Sequence, residues 1–282
     1  MKRVVKVSRR GMSLVELLVG MLMLAIIGMS MTKIMLSQAR YYSHQKVSNA
    51  ARNVSRGPLN RVVSDLRMVE ARGGVVFASD TAIEMRVPYS MGIVCGTSGG
   101  THISMLPADS AMVAAPGYTG YAWRGGNGVY RYKESSHVKD VGTLSVCNAN
   151  SVLTLTTQGA KVVRISPALP DTASVGTPVF LYRKIRYAFR NSAALPGTKG
   201  LFRTVVSAGT TEELSAPYDA TAKFRFFVAS STTAQAAAPS NLATLRGIEM
   251  QMPGMSEKIA KGSTGRYKSP FNTAIFFKNR LD

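Results

Sequence analysis

From Met12 to Thr32 the chain reads MSLVELLVGMLMLAIIGMSMT, an apolar run whose only charge is Glu16. About 20 such residues suffice to cross a bilayer as a helix. The stretch before it, MKRVVKVSRRG, carries Lys2, Arg3, Lys6, Arg9 and Arg10 and no acid. A basic flank of this kind stays in the cytoplasm and sends the C-terminal part outward. This much describes any signal peptide or signal anchor. A conventional exported domain, with the small residues Gly28 and Ser30 near a processing site, is one rival expectation.

Glu16 separates the rivals. A carboxylate inside an apolar span costs a few kcal/mol on insertion scales, so it calls for a hydrated position or a partner. If the chain is cut after Gly11, Met12 becomes the first residue and Glu16 lies one helical turn further on. A new amine and a carboxylate then share one depth. In an assembled filament the carboxylate of one subunit can neutralise the amine of its neighbour, turning two costly charges into one pair.

The segment Arg9-Arg10-Gly11-Met12-Ser13-Leu14-Val15-Glu16-Leu17-Leu18 resembles the class III leader of type IV pilins and type II secretion pseudopilins. The resemblance implies cleavage by a prepilin peptidase between Gly11 and Met12, N-methylation of Met12, and subunit docking through Glu16. Met12 stands where the family usually carries Phe. Further on, Val175–Tyr182, Ile185–Phe189, Gly200–Arg203, Leu245–Met250 and Phe271–Ile275 follow an order similar to W-type minor pilins and J-type pseudopilins. The partners so implied are the prepilin peptidase, other pilins or pseudopilins and a bacterial inner membrane, with the head in the periplasm or outside the cell.

The remaining chain divides by pattern. Residues 1–11 form the leader, 12–34 the membrane or filament-core helix, 35–73 an amphipathic continuation and 74–282 a β-rich head. Leu59, Val62, Val63, Leu66 and Val69 recur at helical spacing, and Gly73-Gly74 stops the pattern near Arg72. Gly57-Pro58 predicts a kink or break, because proline lacks the amide donor and crowds the preceding turn. In the head, strands are expected at 75–78, 82–87, 128–133, 151–157, 161–165, 178–190, 201–206, 223–228, 245–252 and 273–277. Residues 229–241, rich in Ser, Thr and Ala, read as a loop. Helix first and strands afterwards predict an α+β fold, a long N-terminal helix packed on an antiparallel sheet.

Cys95 and Cys147 fall in the exported head, where a disulfide persists, although two separate buried thiols satisfy the count equally. The 35 Lys and Arg against 15 Asp and Glu give a formal net charge of +20. Within predicted strands Arg131 and Lys133 share a face, as do Lys184, Arg186 and Arg190, and Lys223 and Arg225. If those strands are neighbours, one basic sheet face results. It is then either a solvated surface, the preferred reading, or a site for DNA or another polyanion. Gly96-Thr97-Ser98-Gly99-Gly100 matches the G-x-S-x-G pattern literally, but no helix pattern follows Ser98 and nothing orients His102 or His137 as a base. The chain shows no Walker or dinucleotide motif and no calcium loop, so neither enzyme chemistry nor a metal or cofactor is expected.

Overall fold

A computed structural model of the chain describes residues 13–277, apart from residues 71, 98, 136–137, 140–143, 153 and 171–172. Two helices, α1 (Leu14–Arg56) and α2 (Leu59–Arg67), open the fold. Then come β1 (Val75–Ala78), β2 (Ala82–Gly96), β3 (Thr101–Met105), the short α3 (Pro107–Met112), β4 (Tyr118–Arg124), β5 (Tyr130–Glu134) and β6 (Val138–Lys139). The one-turn α4 (Leu144–Ala149) precedes β7 (Val162–Ile165), β8 (Pro178–Asn191), β9 (Lys199–Val205) and β10 (Thr210–Tyr218). The chain finishes with β11 (Lys223–Val228), β12 (Leu245–Gln251), β13 (Gly254–Ile259), β14 (Arg266–Ser269) and β15 (Asn272–Phe276).

The large sheet runs β14-β13-β10-β9-β8-β2-β3-β7-β6, with β1 beside β2 and the β4–β5 hairpin beside β8. A separate three-stranded sheet runs β11-β12-β15. Strand β8 organises the head. One of its edges takes β2 along most of its length, and the other takes β4 at its start and β9 at its end. Its odd-numbered side chains build both cores. Ile185, Tyr187 and Phe189 pack with Val62, Leu66 and Val69 at α2, and with Phe224 and Ile248 of the small sheet. Val179 and Leu181 pack with Ile103, Tyr121, Trp123 and Val163 in a second core. The fold is α+β, a long apolar N-terminal helix with antiparallel sheets.

The break falls at Gly57-Pro58. The Val54 carbonyl would ordinarily accept from the amide of residue 58, which is proline and has none. Two head hydroxyls take that amide's place, Ser215 Oγ at 2.6 Å and Tyr218 Oη at 2.8 Å. Helix α2 ends at Arg67, short of the expected Arg72, because tighter bonds from Met68 N to Asp65 O and Val69 N to Leu66 O close its last turn.

Several strand boundaries differ from expectation. Among the described residues of 151–157 no strand forms. Ser151 has a positive φ, and a 3-10 turn spans Thr156–Gln158. Strand β2 continues nine residues beyond Val87 to Gly96, through the bulge opposite Tyr182 and Leu181. Strands β3, β4, β6, β10, β13 and β14 are additional to those expected from the sequence.

Candidate functional site

The functional geometry lies along α1. From Leu14 to Tyr42 every residue is exposed, including Leu17, Leu22, Leu24, Ile26, Ile27 and Leu36. The span is long and apolar enough to cross a membrane. Its hydroxyls turn inward on the helix, Ser30 Oγ donating to Ile26 O at 2.9 Å and Thr32 Oγ1 to Gly28 O at 2.8 Å. Such back-bonding satisfies these two donors within the helix, as a hydrocarbon setting would require. Near the start of the helix the Glu16 carboxylate accepts from the Ser13 amide at 3.1 Å. The acid therefore caps its own helix, where a negative charge also meets the positive end of the helix dipole. Gly11 and Met12 lie outside the described residues.

The second half of α1 behaves differently. Val47, Ala51 and Ser55, four residues apart, are buried against β13, β14 and β10. The residues are small where backbones approach. A Cβ added to Gly254 of β13 would lie 2.1 Å from the Ala51 carbonyl oxygen and 2.7 Å from Ser55 Oγ. Only glycine fits there. Ser55 Oγ donates to Met252 O at 2.6 Å, and the Lys261 amide donates to Ser43 Oγ at 3.0 Å.

Helix α2 is held by a buried polar group. Asp65, 5% exposed, accepts from Tyr187 Oη at 2.7 Å and from Arg203 Nε at 3.2 Å. Burial, reinforced by the Asp65 charge, raises the Tyr187 hydroxyl well above its ordinary range, so Tyr187 remains a donor at any physiological pH. Sequence inspection misses Asp65, Ser215, Tyr218 and Gly254. Only the donor deficit created by Pro58 is legible in advance, and it predicts the kind of partner rather than its identity.

Cys95 and Cys147 form a disulfide, both fully buried, joining the end of β2 to α4. The bridge closes a loop of 52 residues, worth about 4 kcal/mol in the chain-entropy model. Asn150 Nδ2 supports the joint by donating to Cys95 O at 3.0 Å. Ser98 and His137 lie outside the described residues. The glycine-rich loop around Ser98 joins two antiparallel strands, β2 and β3, rather than a strand to a helix. His102 is buried with Nδ1 3.2 Å from Gly100 O.

The seven basic residues do not converge on one face. Lys223 and Arg225 belong to the small sheet, where Arg225 pairs with Glu249 at 3.5 Å. Strands β5 and β8 flank β4 in the large sheet. Tyr132 meets Tyr182 there, and Lys184 meets Glu134 at 2.6 Å. Even-numbered residues of β5 thus share a face with even-numbered residues of β8, which turns Arg131 and Lys133 to the opposite face from Lys184, Arg186 and Arg190. The expectation of a single basic face fails because the strand order could not be read from alternation within each strand. Arg186 and Arg190 remain together in a cleft of about 340 Å³ with Thr204 and Thr211, their guanidiniums over Phe77 and Phe202. Among the described residues no group of three His, Cys, Asp or Glu side chains gathers that could hold a metal ion.

Comparison with protein-family models, with curated proteins and with solved structures finds no match to this chain.

Proposed function

We propose that the protein is a structural subunit of a type IV pilin-like filament, a minor pilin or pseudopilin. It is made as a precursor, cleaved by a prepilin peptidase between Gly11 and Met12, methylated at Met12 and held in the inner membrane by α1 before assembly. The observation that carries this reading is the division of α1. Its apolar half finds nothing to bury against among the described residues, while its polar half is fixed to the head by close backbone packing. An apolar surface of that size needs a lipid or protein environment. Glu16 sits inside this half, where its helix-capping bond leaves the negative charge unpaired and a positive charge from another subunit would neutralise it. The bulk of the head, two sheets and two cores, favours a minor subunit at the tip or initiation complex of a pilus or secretion pseudopilus over a repeating one.

Recognition of DNA or another polyanion through a basic head face is the alternative. It has less support, because the seven candidate residues occupy two sheets and both faces of the larger one.

The test is Glu16→Leu in the native cell. The variant is expected to reach the membrane in normal amount, since a charge has been replaced by an apolar group. Its content in sheared filaments, or its cross-linking to neighbouring pilins, is expected to fall at least about tenfold. Assembly at the parental level would remove Glu16 from docking and the filament reading with it.

A further inference from the structure

The β13–β14 hairpin runs down α1 towards the apolar span. Gly254, at its base, packs at Ala51 and Ser55. Lys261 meets Ser43, Ser263 lies 3.4 Å from His44, and a Cβ at Gly262 would come within 3.7 Å of Arg40. The hairpin tip therefore lies against the part of the docked helix closest to the exposed apolar half. At 1.5 Å per residue, Arg40 stands about 12 Å beyond Thr32, where the uncharged run ends. The headgroup layer occupies roughly 5–8 Å outside the hydrocarbon. The tip is then a few ångströms from that layer, inside the Debye length of about 8 Å.

The composition of the tip suits that position. Lys258, Lys261 and Arg266 have no acidic partner among the described residues, and Glu257 is the one acid between Ser256 and Ser269. Lys268 is engaged by Asp219 at 2.5 Å. Ile259 is 53% exposed and Tyr267 39%, so apolar side chains accompany the bases. On the helix, Lys33, Arg40 and Lys46 add charge with no acid between them, and exposed Tyr41 and Tyr42 mark the level where aromatic residues favour a membrane interface.

We propose that the β13–β14 hairpin is a second membrane contact, in which Lys258, Lys261 and Arg266 bind anionic phospholipid headgroups of the bilayer crossed by α1. The inference rests on the membrane reading of α1. The docked helix and hairpin are one packed unit, so lipid contact at the tip fixes the tilt and rotation of the whole head above the membrane. Extraction into a filament must then break this contact.

The experiment uses the full chain in nanodiscs, of phosphatidylcholine alone or mixed equally with phosphatidylglycerol. A fluorophore at Thr264→Cys reads quenching by headgroup-labelled nitroxide lipid, and one at Leu22→Cys reads quenching by acyl-chain nitroxide. Both native cysteines are bridged and buried, which leaves the new thiol to react. The Leu22 probe is expected to be quenched in both discs. The Thr264 probe is expected to be quenched at least about fivefold more with the anionic lipid, with the excess removed by high salt and by Lys258→Gln, Lys261→Gln and Arg266→Gln together. An unquenched Leu22 probe would defeat the membrane reading itself. A quenched Leu22 probe with Thr264 quenching absent, equal in the two discs or unchanged in the triple variant would defeat the hairpin proposal alone.

Discussion

The two halves of α1 are one continuous helix with opposite relations to the rest of the molecule. The half before Tyr42 is rich in Leu, Met and Ile, and no residue of it is buried against the described head. The half after Ser43 is rich in Ala, Ser, Asn and Arg, yet it is the one buried against the head. A soluble fold would bury the first and expose the second. The inversion teaches that shape governs docking inside this head. Small residues let the Ala51 backbone approach Gly254, and hydroxyls answer the carbonyl that Pro58 leaves unmatched. The apolar half keeps its hydrophobic surface for an environment outside the chain.

Four changes should break or sharpen this contrast when urea unfolding of the chain is followed in detergent. The largest effect is expected from Asp65→Ala, which strands Arg203 and the Tyr187 hydroxyl beneath α2. A loss of about 3–5 kcal/mol follows from breaking a buried charged pair. Gly254→Val forces the helix away from β13 and should cost about 3 kcal/mol. Protease cleavage between α1 and the head should rise with it, whereas Ala at exposed Gly265, with open space around it, leaves both unchanged.

A smaller effect depends on pH. Lys268, helped by the Thr221 amide, holds the Asp219 carboxyl at about 2, below its ordinary 3.8. The folded value is depressed, so the pair's stabilisation is present above about pH 4 and is lost as pH falls through about 2. Because Lys268 is 62% exposed, solvent screening holds this below about 1 kcal/mol. The gap between the parent and Asp219→Asn should therefore close between pH 5 and pH 2. The smallest effect is expected from Leu22→Ala in the free half, within about 0.5 kcal/mol for the head. A Leu22→Ala cost comparable to that of Gly254→Val would erase the distinction between the halves.

The contrast was only half visible in the sequence. The apolar run, Glu16, the break at Gly57-Pro58 and the two cysteines can all be seen in short stretches of chain, because each is a local property of composition or backbone chemistry. Strands β1, β8 and β11 were visible for the same reason. The hairpin β13–β14 was not, because its buried positions Gly254 and Ser256, the one small to fit the helix and the other bonded within the hairpin, do not show the large apolar alternation that marks a strand. Asp65 read as one polar position of an amphipathic helix. Its burial depends on Tyr187 and Arg203, more than a hundred residues away. Alternation gives the face of each basic residue within its own strand but not its position relative to the others, since strand order is a long-range property that alternation does not carry.

The filament proposal requires that the mature chain begin at Met12, four residues before Glu16. The most direct measurement is the mass of the N-terminal peptide of the protein purified from its native membranes. A peptide beginning at N-methylated Met12 is the predicted result. An intact Met1, or a start near Met31 as a conventional signal would give, would contradict it.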